Sequence, residues 1–157
     1  IKMSKNLYMD KIGRKAKIAS LHLSNVNIDK RNSVLKQFAQ YIKINSQSIL
    51  NANKKDIFNA KSKKIKHSMI DRLKLNNKKI TQIKKSIEEI IKFKDPLGKT
   101  LSSWKRPNGL IIKRISIPIG TIGVIYESRP NVTSDVASLC FKSGNPVILK
   151  IKRNMLD

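Results

Sequence analysis

The chain has 157 residues, with 34 Lys and Arg against 10 Asp and Glu, a formal net charge of +24, one cysteine and 39% hydrophobic residues. That is enough apolar content for one ordinary domain with its own core. A lone cysteine excludes a disulfide framework and fits a reducing compartment, and no apolar run approaches the ~18 residues a membrane helix needs. The first residues lack the apolar core of a secretory signal, so a cytoplasmic protein is expected. So large a positive charge suggests nucleic acid as a partner, but the composition argues against it. There are 27 Lys to 7 Arg, and Lys, Ile and Asn together fill 65 positions, while aromatic residues make up only 5%. A surface selected to grip phosphates favours Arg forks and aromatic stacking. Drift toward A/T-rich codons explains the charge better than a nucleic-acid-binding function does.

Residues 1–95 read as helices. Tyr8, Ile12, Ala16, Ala19 and Leu23 share one helical face, and Ser24-Asn25-Val26-Asn27 breaks it with turn and capping residues. Val34, Leu35, Phe38, Ala39 and Ile42 form an amphipathic stripe. Ser46 is the expected N-cap of a third helix carrying Ile49, Leu50, Ile57 and Ala60. A short helical turn near Met69 to Leu73 leads to Asn76, another expected cap. Ile80, Ile83, Ile87, Ile90 and Ile91 then make the strongest stripe in the chain.

Asp95-Pro96-Leu97-Gly98 stops the helices. Residues 96–117 are expected to form a β-hairpin, with extended segments at Leu101 to Arg106 and Leu110 to Ile117 joined through Pro107-Asn108-Gly109. A two-stranded hairpin is marginal alone, so Trp104, Ile111, Ile115 and Ile117 need something to pack on, such as another subunit. Residues 118–150 read as strand, turn, helix and strand, a βαβ unit. The strand is Ile119 to Ile125, and the helix buries Val132, Val136, Leu139 and Cys140. Ser143-Gly144-Asn145 caps the helix end, and Val147 to Leu149 opens the second strand. The fold class is α/β.

Ligands of parallel α/β sheets bind where strands end and helices begin, which puts Glu127 to Thr133 first among candidate sites. Asn131 can present an uncharged amide to a developing oxyanion, an effect worth ~3 kcal/mol when a donor is well placed; the alternative is that it caps the helix. Arg129 can meet a phosphate or carboxylate, or stand as a solvated turn residue. Lys150, leaving the second strand, can reach a ribose or phosphate, or be one more surface lysine. Cys140 sits on the apolar stripe, where a reactive thiolate is not expected. His22 and His67 are expected on the surface, and no metal-ligand spacing, Walker loop or G-x-G-x-x-G is present.

The run Ile125-Tyr126-Glu127-Ser128-Arg129-Pro130-Asn131-Val132-Thr133, followed by Lys142-Ser143-Gly144-Asn145, resembles gamma-glutamyl phosphate reductase, a branch of the aldehyde dehydrogenase superfamily. Asp71-Arg72-Leu73-Lys74-Leu75, Asp95-Pro96-Leu97-Gly98 and Arg106-Pro107-Asn108-Gly109-Leu110 extend the resemblance from about Tyr8 to Lys150. It implies NADPH-dependent reduction of L-glutamate 5-phosphate to L-glutamate 5-semialdehyde in proline biosynthesis, through a cysteine thioester. It also implies that Asn131 is the oxyanion residue, and that Ser128, Arg129 and Pro130 line the cofactor cleft. Lys150 would lie near the adenine ribose, where a basic group suits the 2′-phosphate of NADP. By the same resemblance the chain is an N-terminal portion, a Rossmann-like nucleotide-binding domain ending before the catalytic domain, and the hairpin is an oligomerisation element. No metal is implied.

Residues 151–157 depart from the family pattern, and the nucleophilic cysteine of the family lies beyond them. The 157 residues alone are therefore expected to be inactive and to bind no cofactor well, as a frameshifted or pseudogene-type product or a fragment completed by a second chain. A non-catalytic fragment is the alternative function, and a basic nucleic-acid binder the more remote one.

Overall fold

The isoleucine stripe that closes the helical region forms the centre of the core. The computed structural model describes residues 7–127 and 129–151, so Ser128 and the divergent tail from Lys152 lie outside the described residues. Among these residues the elements are α1 (Leu7–Leu23), α2 (Ile28–Ile44), α3 (Ser46–Ser62), α4 (His67–Leu73), α5 (Asn77–Lys92), β1 (Thr100–Lys105), β2 (Ile111–Ile115), β3 (Ile122–Tyr126), α6 (Pro130–Lys142) and β4 (Val147–Ile151). α5 buries Ile80, Ile83, Ile87 and Ile90. Ile83, Ile87 and Ile90 meet Leu35 and Ala39 of α2, with Phe141 of α6 packed at the margin. Ile87 keeps no exposed surface, and burying such a side chain contributes about 1.5–3 kcal/mol. This three-helix contact is the main apolar core.

The local signals account for most boundaries. Asn27 and Asn76 cap α2 and α5, their side chains accepting the Lys30 and Lys79 N–H groups at 2.9 and 2.8 Å. Ser46 does not cap α3. Asn45 occupies that position without a side-chain cap, at φ −91° and ψ 15° rather than in the extended conformation of a capping residue, and its amide donates to the Tyr41 carbonyl at 2.8 Å, closing α2. On α1 the expected apolar face is only partly used: Leu23 is buried and Ile12 and Ala16 are half-buried, while Tyr8 and Ala19 face solvent.

The hairpin pairs β1 with β2 antiparallel, Trp104 opposite Ile112 and Lys105 opposite Ile111, with a register irregularity between Thr100 and Ser102. Pro107 and Asn108 are central to its turn. The Gly109 N–H donates to the Arg106 carbonyl at 2.9 Å, with Gly109 at φ +84°, the left-handed conformation that such a turn requires. Trp104, Ile111, Ile115 and Ile117 are all exposed. Its base is anchored through Ser116, whose hydroxyl donates to the Pro96 carbonyl at 2.7 Å.

β3 and β4 are parallel, in register from Ile122 opposite Val147 to Tyr126 opposite Ile151, with α6 between them in sequence. β3 begins at Ile122; Ile119, expected inside it, is exposed. α6 ends in a Schellman motif. Asn145 N–H reaches the Cys140 carbonyl at 2.8 Å and Gly144 N–H the Phe141 carbonyl at 3.1 Å. The buried Asn145 side chain then accepts the Gly120 N–H at 2.9 Å, tying the helix end to the chain that enters β3. The expected inner face of α6 needs correction. Cys140 is buried and the valines are half-buried, but Leu139 is 46% exposed. The fully buried positions include Ser134, Ser138 and Lys142, because α6 turns this face to α2 and α5 as well as packing near the strands.

A polar knot joins the ends of these helices. Arg31, 2% exposed, donates to the Val26 carbonyl at 3.1 Å, to the Lys142 carbonyl and to Asp95 Oδ2 at 2.7 Å. The Lys142 ammonium donates to Asn32 Oδ1 at 2.6 Å and to the Ile91 carbonyl at 2.8 Å, satisfying an orphan carbonyl of the last turn of α5.

Candidate functional site

The chain leaves β3 at Tyr126 and enters α6 within four residues. Pro130 takes the first helical position, where its missing N–H costs nothing and its fixed φ suits the helix. Arg129 therefore becomes the N-cap residue, extended at φ −118°, and its side chain makes no cap bond. Asn131 lies inside the first turn and is exposed. Its carbonyl accepts the Ser134 hydroxyl at 2.8 Å, while its side-chain amide is not spent on capping. The helix-cap alternative is thus set aside.

Two clefts flank this turn and share Pro130 as a wall. The first, about 290 Å3, opens between α5 and the start of α6 and is lined by Asn131, Asp135, Ser86, Lys79 and Arg72. The Ser86 hydroxyl donates to Asp135 Oδ1 at 2.9 Å. Arg72 donates to Glu127 Oε2 at 3.0 Å; both side chains are about half exposed, so the pair contributes little and leaves the other guanidinium donors available. The second cleft, about 300 Å3, is lined by Arg129, Tyr126, Thr133 and Ile151, with Asn53 and Asp56 of α3 opposite. The Tyr126 and Thr133 hydroxyls lie 2.6 Å apart, bracing β3 against α6.

The expected site residues are thus only partly assembled. Asn131 and Pro130 line the first cleft, and Arg129 and Pro130 the second. Lys150 lines neither. It is opposite Ile125, and both are exposed, on the other face of the sheet from Tyr126 and Ile151. Ser128 lies outside the described residues. Arg72, Lys79, Ser86 and Asp135 were not among the expected site residues. The spacing of Asn131 and Asp135, four residues apart on one helical face, was the available signal for one of them.

Cys140 is 8% exposed, and burial pushes its thiol above the ordinary value, the opposite of what an attacking thiolate needs. His22 is exposed, and His67 lies 3.0 Å from Asp71 at the surface. No described helix is long and apolar enough to cross a membrane.

Arg72 with its neighbours, the Arg129-Pro130-Asn131 turn and the Asn145 clip occupy the sequence positions on which the family resemblance rests. The chain is 50% identical over 137 residues to the gamma-glutamyl phosphate reductase of Caldicellulosiruptor saccharolyticus, covering 87% of this chain and 33% of that one. It is 49% identical over 142 residues to that of Nitratiruptor sp., covering 90% and 34%. The crystal structure of gamma-glutamyl phosphate reductase from Thermotoga maritima superposes with a TM-score of 0.87 at 40% identity, over 90% of this chain and 34% of that one. The Saccharomyces cerevisiae enzyme gives 0.87 at 30% identity, over 96% and 38%.

This chain matches the N-terminal third of gamma-glutamyl phosphate reductase.

It spans about a third of the length of the curated relatives it matches. No protein-family profile matches it. The mixed α/β architecture matches the N-terminal portion of the reductase structures.

Proposed function

We propose that this chain forms the cofactor-side portion of a gamma-glutamyl phosphate reductase, an oxidoreductase of proline biosynthesis that uses NADPH to convert L-glutamate 5-phosphate to L-glutamate 5-semialdehyde and phosphate. The observation that carries this reading is Asn131: an exposed amide in the first turn of α6, past the carboxyl end of β3, uncommitted to capping and lining a cleft. There it can donate to an oxyanion developing on the acyl carbon, aided by the helix N-terminus. The thiolate that attacks the acyl phosphate is not Cys140, which is buried and the single cysteine of the 157 residues; the nucleophile belongs to sequence outside them.

The residues present suit a phosphate-bearing dinucleotide at the carboxyl edge of β3 and β4. Arg129 and Lys150 are exposed cations there, and neither has a carboxylate partner among the described residues. Arg129 would hold a phosphate near the N-terminus of α6, and Lys150 would favour the 2′-phosphate that distinguishes NADP from NAD. When bound, NADPH supplies the hydride. The hairpin would serve assembly of like subunits, since exposed Trp104, Ile111 and Ile115 on its two faces form a surface that favours burial. The enzyme's place would be the cytoplasm, the common site of such biosynthesis.

Titration of the purified chain with NADP+ and NAD+ tests the cofactor assignment. NADP+ is expected to bind more tightly, and Lys150→Ala to remove the difference; equal affinity for both nucleotides overturns the role of Lys150. The chain alone is expected to show no turnover of L-glutamate 5-phosphate with NADPH, and turnover would overturn the assignment of the nucleophile to other sequence.

A further inference from the structure

The first cleft holds opposite charges that do not pair with each other. Lys79 and Arg72 line one side and Asp135 the other, and no ion pair joins either cation to Asp135. The Lys79 ammonium is held by a neutral carbonyl, that of Lys74, at 2.6 Å. Asp135 is held by a neutral hydroxyl, that of Ser86, at 2.9 Å. Both groups are only partly exposed and neither gains a counter-ion, so a ligand that brings the opposite charge to each completes what the cleft leaves unpaired. At about 290 Å3 the space is at the small end of ligand pockets. It suits a small metabolite and is too small for a dinucleotide.

A ligand that satisfies such a cleft carries an anion and a cation a short distance apart. We propose that this cleft binds the amino-acid head of the substrate, with the α-carboxylate on Lys79 and Arg72 and the α-ammonium on Asp135. This rests on the proposed reductase function, which supplies the chemical class of substrate. Asn131 lines the same cleft one helical turn before Asp135. The residue that reads the α-ammonium and the residue that stabilises the acyl oxyanion therefore sit on one rigid face, and the two methylenes of a glutamyl chain bridge the interval. A guanidinium and an ammonium give the carboxylate charge-assisted hydrogen bonds. Asp135 discriminates against acids that lack the amino group, because without it the carboxylate stays unpaired in the cleft.

The test titrates the full chain with three probes: L-glutamate, glutarate, which lacks the α-amino group, and 4-aminobutyrate, which lacks the α-carboxylate. L-Glutamate is expected to bind more tightly than either. Asp135→Asn is expected to erase the preference for L-glutamate over glutarate. Lys79→Gln and Arg72→Gln are each expected to weaken L-glutamate about tenfold while leaving 4-aminobutyrate unchanged. Far-UV circular dichroism of each variant separates loss of binding from loss of folding, and Arg72→Gln, at a side chain about half exposed, is the variant least tied to folding. Absence of L-glutamate binding to the unsubstituted chain, or binding by Asp135→Asn and Lys79→Gln equal to that of the unsubstituted chain, overturns the assignment. NADP+ titration of the same samples keeps the two readings apart. Intact nucleotide binding with no glutamate discrimination sinks this inference alone, and discrimination without nucleotide binding sinks the cofactor reading alone.

Discussion

Arg31 and Asp95, 64 residues apart in sequence, meet at 2.7 Å with only 2% of the Arg31 side chain exposed. The pair ties the first turn of α2 to the end of the helical region, where Asp95 also accepts the Leu97 N–H at 3.1 Å. Asp95→Ala leaves a buried guanidinium without its counter-ion. It is expected to lower the unfolding free energy by about 3 kcal/mol, the low end for breaking a buried pair, because Asp95 keeps some contact with water. Urea denaturation followed by circular dichroism measures it, and a change within about 0.5 kcal/mol would show that water replaces the carboxylate.

Lys142 shares this knot and brings a pH dependence. Burial lowers the pKa of its ammonium, and Arg31 adds to that while Asp95 opposes it. In the alkaline window between the lowered folded value and the ordinary lysine value, the unfolded chain holds a proton that the folded chain has released. Stability from this group therefore rises with pH across that window, and the cost of the buried charge is fully present below it. Lys142→Met abolishes the titration but leaves Asn32 and Ile91 without their donor at every pH. The stability difference between the unsubstituted chain and this variant is expected to shift toward the former as pH rises through that window. Urea midpoints at neutral and alkaline pH decide it, and a flat difference would contradict the expectation.

Gly144 is constrained twice. It sits at φ +72°, and an added Cβ would come within 2.7 Å of Leu97 Cδ1 and 3.3 Å of Pro118 Cγ. Gly144→Ala is expected to cost about 2 to 4 kcal/mol, the left-handed conformation supplying about 1 and crowding the rest. Thermal unfolding measures the loss. A cost no larger than about 1 kcal/mol would mean that Leu97 moves aside freely.

The Cys140 thiol offers a direct probe of the core. Burial raises its pKa, so in the native chain it is expected to react with a thiol-specific disulfide reagent at least tenfold more slowly than in urea. Its contribution to stability is fully present below the ordinary thiol value and is lost as pH rises through the raised folded value. Native labelling as fast as that of the denatured chain would place Cys140 outside the core.

Local physics made much of this fold legible in the sequence. The Ile80-Ile83-Ile87-Ile90 stripe, the Asn27 and Asn76 caps, the turn before Gly109 and the glycine end of α6 are each decided within a few residues. What escaped was decided at long range. Lys142 was one lysine among 27, and its burial depends on Asn32 and Ile91, which lie 110 and 51 residues away. The exposure of Leu139 and the burial of Ser138 follow from how α6 lies against α2 and α5, which its own periodicity does not encode. At the site, the residue types of Arg129 and Asn131 suggested chemistry, but the shift of the cap to Arg129 follows from Pro130 at the first helical position. The opposing charges of Lys79 and Asp135 came together only through the packing of α5 on α6.

Pro130 is common to both clefts, and its ring sits on the first turn of a helix whose far end is fastened by Gly144 and Asn145. A ligand that displaces that ring on one side alters the wall seen by a ligand on the other. Any coupling between occupants of the two clefts has to be mutual: whatever factor the first occupant imposes on the second, the second imposes on the first. Pro130, together with Leu75, is thus the wall through which the two clefts meet at the helix start.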